Sequence, residues 1–242
     1  MNILIRTDGS VDIGNGHMIR MIALADELIF RNFNIIFLIK KDYFWIKQLK
    51  KKYKVIKCDE NNLKLFQILN KGDITHFIYD TRNDLIKSDF LKIRKLNKNL
   101  KIVVNDSPEE IRKHCDIFLS PPIAQIKDWD WTGFNGKIYS DWEYVMLRKE
   151  FHQINTKKES NKVLLSFGST DPLFITEKVL DLLCKADNKL KQFEFILIVG
   201  PQFERIKKIK SSNSFKSLNI EIIKSPSNIE KLFNSVSFAI IS

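Results

Sequence analysis

Short apolar runs alternate with amphipathic stretches along most of this chain. That alternation limits its fold more than any other feature. Ile3–Arg6, Asn34–Ile39, Phe77–Tyr79, Lys101–Val104 and Asp116–Leu119 read as strands. His17–Arg31, Phe44–Lys52, Leu63–Leu69 and Leu85–Leu96 carry helical spacing between them. Strand–helix repetition of this kind predicts βαβ units on a parallel sheet. The strands are apolar on both faces, as helices packed on either side of a sheet require.

The pattern stops at HQINTKKESNK, residues 152–162, which is polar and aperiodic and reads as a linker. It then restarts. Val163–Phe167, Glu194–Val199, Ile220–Ile223 and Ser237–Ile241 are expected strands. Ile175, Val179, Leu182, Leu183 and Ala186 form one helical stripe, and Phe203–Ile209 a second helix. Ser227 and Glu230 have the spacing of a capping box before another. The expected fold is therefore α/β, with two Rossmann-like domains: residues 1–151, the linker, and residues 163–242.

Charge adds less. Forty Lys and Arg against 29 Asp and Glu give +11, which admits an anionic partner. Only eight of the forty are Arg, the side chain that nucleic-acid surfaces favour, so solvated lysine faces are the expected reason for the charge. No nucleic acid is expected as a partner. The basic stretch Lys40–Lys57 has Tyr43, Phe44, Trp45 and Tyr53 interleaved, but at helical spacing Phe44, Ile46 and Leu49 read as core contacts with the lysines facing solvent, rather than as a stacking platform. Cys58, Cys115 and Cys184 lack a Cys-x-x-Cys spacing, and His76, His114 and His152 lack a ligand spacing, so neither a metal nor another cofactor is expected. No apolar run approaches the ~18 residues of a membrane span, and no signal-peptide pattern opens the chain. A cytoplasmic monomer is the expectation.

The most informative segment joins the first strand to the first helix. It runs Arg6-Thr7-Asp8-Gly9-Ser10-Val11-Asp12-Ile13-Gly14-Asn15-Gly16-His17-Met18-Ile19-Arg20 and holds three of the eight glycines. Gly14 and Gly16 permit close backbone approach, and the helix that follows offers free N–H groups to phosphate or carboxylate. The spacing is neither a dinucleotide fingerprint nor a P-loop. His17 and Arg20 stand three apart, so both lie on one side of the first helical turn. That places a proton-exchanging imidazole beside a fixed cation.

The stretch R-T-D-G-S-x-x-I-G-x-G-H-x-x-R-x-x-x-L-A resembles the opening of the UDP-sugar hydrolases of pseudaminic acid biosynthesis and of related spore-coat polysaccharide proteins. Asn105-Asp106 with His114-Cys115-Asp116, the run Tyr144–Phe151, and Leu165–Pro172 resemble later segments of that family in the same order. The resemblance implies a glycosyltransferase-B-like fold with a UDP-sugar bound between the two domains. It implies that His17 is the general base that activates water for attack at the anomeric carbon while UDP leaves. Asp8, Gly14, Gly16, Arg20, Asp80, Arg82, Gly168 and Ser169 are the expected substrate contacts. Ser169 stands where the family has a second glycine, and Asp80-Thr81-Arg82 is closer to the spore-coat branch. In the relatives a strand like Phe238–Ile241 is followed by a glycine-rich loop and a Thr-x-x-Glu segment. On that comparison the second domain is expected to be truncated, with weak UDP affinity. A glycosyltransferase of the same fold, an inactive truncated family member and a basic nucleic-acid-binding module are the alternatives.

Overall fold

The computed structural model of the protein describes residues 1–9, 14–40, 46–82, 84–153, 160–168, 170–186, 190, 192–201 and 203–241. The chain divides into two compact units, Met1–Leu147 and Arg148–Ser242.

The first unit is a parallel seven-stranded sheet flanked by helices. In chain order it contains β1 (Asn2–Thr7), α1 (Gly16–Phe30), β2 (Asn34–Ile39), α2 (Ile46–Lys52), β3 (Lys54–Lys57), α3 (Leu63–Asn70) and β4 (Ile74–Asp80). Then follow α4 (Lys87–Leu96), β5 (Lys101–Asn105), β6 (Ile117–Leu119) and β7 (Lys137–Tyr139), with short 3₁₀ turns between the last strands. The strand order is β3-β2-β1-β4-β5-β6-β7, the doubly wound order with one strand added at the edge. The order reverses between β1 and β4, whose register pairs Thr7 with Asp80. Such a reversal opens a crevice at the carboxyl ends of the strands.

Alternate strand residues feed two cores, one on each face of the sheet. Leu4, Leu38, Phe77, Ile102 and Phe118 meet Leu65 and Leu69 of α3 and Phe90 and Ile93 of α4. Ile3, Ile5, Phe37, Ile78 and Val103 meet Met18, Met21 and Ala25 of α1 and Leu49 of α2. Phe77 and Phe118 are wholly enclosed, so truncating either to Ala costs about 3–5 kcal/mol. This packing seats α1 against the sheet and carries residues 17 and 20 to the end of β4.

The second unit contains β8 (Lys162–Ser166), α5 (Ile175–Lys185), β9 (Glu194–Val199), α6 (Ile206–Ser211), α7 (Asn213–Ser217), β10 (Ile220–Lys224), α8 (Ile229–Phe233) and β11 (Phe238–Ile241). Its sheet is also parallel, in the order β10-β9-β8-β11, and repeats the first four strands of the other unit. Leu165, Leu197 and Phe203 centre one core; Leu164, Ile196 and Ile198 lie on the opposite face.

The structure corrects the sequence reading in places. β3 and β7 were not anticipated, because Lys54-Val-Ile-Lys57 has charged ends and β7 has only three residues. α4 begins at Lys87 rather than Leu85: Ile86, in extended backbone, is the N-cap, and the Leu85 N–H donates to the Tyr79 hydroxyl (3.1 Å). The helix expected at Phe203 begins at Ile206, and Ser212 starts the separate α7 by accepting the Phe215 N–H (3.2 Å). The Ser227 capping box is absent: α8 is preceded by Asn228, with no side-chain cap. Ser237 stays outside the last strand and donates instead to the Ser160 carbonyl (2.7 Å). Phe44, Ser169 and most of the expected linker lie outside the described residues.

Candidate active site

In the first unit, β1 ends at Thr7 and α1 begins at Gly16. Gly14 has φ +74°, the left-handed region that an L side chain resists, so glycine suits this turn. Met18, Met21 and Ala25 anchor the inner face of α1. Its flank then carries His17 and Arg20, three residues apart, toward the buried end of β4.

Asp80 ends β4 and is fully enclosed. Its Oδ1 lies 2.8 Å from His17 Nδ1. Arg20 grips the same carboxylate with both prongs, Nε on Oδ2 at 2.6 Å and Nη2 on Oδ1 at 2.5 Å. Arg20 Nη1 donates to Asp106 Oδ2 at 3.0 Å, and Arg82 Nη2 reaches the same oxygen at 3.5 Å. Asp106 follows β5 and holds φ +50°, a conformation that Asp tolerates better than most residues. Two adjacent strand ends, of β4 and β5, and the first turn of α1 thus bring together His17, Arg20, Asp80, Arg82 and Asp106.

Charge and burial oppose one another here. Burial pushes the Asp80 carboxyl up, but hydrogen bonds from Arg20 and His17 and the nearby cation outweigh it and hold the group below the usual carboxylate range. Burial likewise works against the Arg20 cation, and Asp80 and Asp106 more than reverse it. His17 Nδ1 also lies 2.9 Å from Arg20 Nη2. Nδ1 thus faces both an acceptor, Asp80 Oδ1, and a donor, Arg20 Nη2.

A second network lies beneath the turn. Arg6 is fully buried and donates to Asp8 Oδ2 (2.5 Å), Asp84 Oδ2 (2.9 Å) and the Thr7 carbonyl (3.0 Å). The Lys40 N–H donates to Asp8 Oδ1 (2.9 Å), and the Lys40 ammonium pairs with Asp84. Asp8 is therefore tied to Arg6 and to the end of β2.

In the second unit, Gly168 (φ +81°) follows β8, and Asp171 and Phe174 also have positive φ, +47° and +56°. The Asp171 carboxylate caps α5, accepting from the N–H groups of Ile175 (2.8 Å) and Thr176 (2.9 Å). The N-cap position itself is Phe174, and the helix starts at Ile175. Arg205 secures the turn by donating to the Asp171 carbonyl (2.8 Å) and to Glu177 (2.7 Å), with its guanidinium over the Phe174 and Phe203 rings.

Sequence reasoning named Asp106 only within a segment of the resemblance and did not join it to Arg20. It also passed over Arg6 and Asp84. An arginine inside the apolar run Ile3–Arg6 was the available signal, since a buried guanidinium requires partners. Among the described residues, no cluster of His, Cys, Asp and Glu is arranged to hold a metal ion. No helix among them is long and apolar enough to cross a membrane.

No family model matches the chain. It is 34% identical, over its whole length, to the uncharacterized protein MJ1062 of Methanocaldococcus jannaschii, and spans about half of that protein (52%). It is 26% identical, again over its whole length, to the UDP-2,4-diacetamido-2,4,6-trideoxy-beta-L-altropyranose hydrolase of Campylobacter jejuni, covering 85% of it. Among solved structures, Acinetobacter baumannii MurG matches 99% of the chain with a TM-score of 0.60 at 10% identity, over 72% of its own length. A UGT transferase from Siraitia grosvenorii in complex with UDP matches all of the chain with a TM-score of 0.58 at 12% identity, over 77% of its own length. The fold is thus glycosyltransferase-B-like: two Rossmann-like units in succession, as the alternating pattern implied.

Proposed function

We propose that the protein cleaves a UDP-activated diacetamido-trideoxy sugar at its anomeric carbon, with water as acceptor. The product would serve pseudaminic acid or surface polysaccharide biosynthesis. The seating of His17 on the buried Asp80, at the reversal of strand order, carries this reading. The similarity to the Campylobacter jejuni hydrolase supports it.

His17 Nε2 takes a proton from water as the water oxygen bonds to the anomeric carbon. The bond from that carbon to the diphosphate oxygen breaks, and UDP leaves with the electron pair. Asp80 holds the imidazole in its working tautomer and stabilises the imidazolium that forms. Arg20 positions Asp80 and, with Arg82, presents positive charge to the substrate. Gly14 and Gly16 offer backbone N–H groups, and Gly168 and Ser169 contact the nucleotide-sugar. Asp8 supports the turn from below. The reading keeps a cytoplasmic monomer that uses no metal ion.

The glycosyltransferases among the fold neighbours favour a second reading, with a sugar or lipid hydroxyl in place of water. UDP release from a UDP-activated diacetamido-trideoxy sugar, followed with and without candidate acceptors, separates the two. Hydrolysis predicts release without an acceptor. Release only when an acceptor is added would overturn it in favour of transfer.

A further inference from the structure

At the opposite edge of the first unit's sheet, the amino ends of β5, β6 and β7 border a cavity of about 520 Å³. That volume lies within the range of small-ligand sites. Arg94, Lys101, Lys113, His114 and Lys137 line it, against the single carboxylate of Asp116. None of these residues belongs to the His17 cluster, which lies at the carboxyl ends of the strands.

The lining charges are not balanced internally. Asp116 is committed to Arg94 (2.7 Å) and to the Ile102 N–H (2.7 Å). Arg94 is fixed further by the Leu100 carbonyl (2.8 Å), so its guanidinium is held in place. Lys113 pairs with Asp130. Lys101 and Lys137 are exposed and have no carboxylate partner among the described residues.

Sheet register puts these two lysines on one face. Val103 pairs with Ile117, and Ile117 with Lys137, so the three side chains share a side. Lys101 precedes Val103 by two residues and shares it too. The two Cα atoms stand about 10 Å apart across two strand spacings and about 7 Å apart along the strand direction. Two flexible ammonium groups can converge on one multiply charged anion across that gap.

The donor set excludes other uses. Burial pushes the Cys115 thiol up to about 12, so it supplies no thiolate. Burial and the neighbouring Lys87 hold the His114 imidazole below its ordinary range, as ground already positive does. A cation is disfavoured, and a dianion or trianion is favoured.

We propose that this cavity binds a small phosphate-bearing anion with at least two negative charges, separately from the substrate of the His17 site. Inorganic pyrophosphate, titrated into the isotopically labelled full chain at low salt, is the probe. Amide resonances of Gly133, Gly136 and Lys137 should shift and saturate with a Kd tighter than about 1 mM. Those of Gly14 and Gly16 should not follow the same curve. K101A/K137A replaces two exposed side chains and should weaken binding at least about tenfold, while Lys207→Ala with Lys208→Ala should leave it unchanged. Failure to saturate, shifts confined to residues away from the cavity, or equal weakening by the two double variants would each overturn the proposal.

Discussion

The two units share a strand order but equip the same place in it differently. In the first, the turn after β1 faces a cluster of ionisable side chains: His17, Arg20, Asp80, Arg82 and Asp106. In the second, the turn after β8 is shaped by backbone, with Gly168 at positive φ and the Asp171 carboxylate already bound to the start of α5. The helix N-terminus there is satisfied by the protein's own anion. Under the proposed function, the comparison separates chemistry from holding. A proton-transfer group needs a charged partner, and among the described residues of the two turns the first has an imidazole beside a buried carboxylate.

The sharpest way to break this contrast is to remove Asp80. Asp80→Ala removes a fully enclosed carboxylate and leaves the partly exposed Arg20 without its main partner, so urea unfolding should show a loss of about 3–5 kcal/mol. A loss below about 1 kcal/mol would mean that the cluster is not the buried network described. Arg205→Ala comes next. Arg205 is partly exposed and its hydrogen bonds are shared, so an expected loss of about 1–3 kcal/mol is read by the same assay. Turnover should suffer chiefly through KM, since Arg205 shapes a holding turn. An equal fall in kcat would blur the two roles.

Asp171→Ala removes one cap and should cost about 0.5–2 kcal/mol. The pH dependence is the finest probe. Asp80 is held below the usual carboxylate range, so its contribution is fully present above about pH 4 and is lost as pH falls through the depressed folded value. Unfolding free energy measured from neutral pH down into acid should therefore fall more steeply for the wild type than for Asp80→Asn. Parallel curves would place the acid sensitivity elsewhere.

Much of this was legible from residue pattern, for identifiable reasons. β2 and β9 match their expected spans because each is an uninterrupted apolar run bounded by polar residues. β3 and β7 escaped because a three- or four-residue strand with charged ends is recognisable only beside its neighbour. His17 and Arg20 were readable from their spacing, and Asp80 from its position after an apolar strand. Asp106 was not, since its role depends on Arg20, 86 residues earlier. The Arg6–Asp84 brace spans 78 residues and is set by the fold alone. Local spacing reveals which side chains share a turn; only the sheet order reveals which turns face each other.

The central claim is that His17, seated on Asp80, is the proton acceptor of the reaction. It is tested most directly by the initial rate of UDP release from a UDP-activated diacetamido-trideoxy sugar, for wild type and His17→Asn, with whichever acceptor supports turnover. A loss of about 10²–10⁴-fold with unchanged urea unfolding is the predicted result. A His17→Asn rate within about threefold of wild type would contradict it.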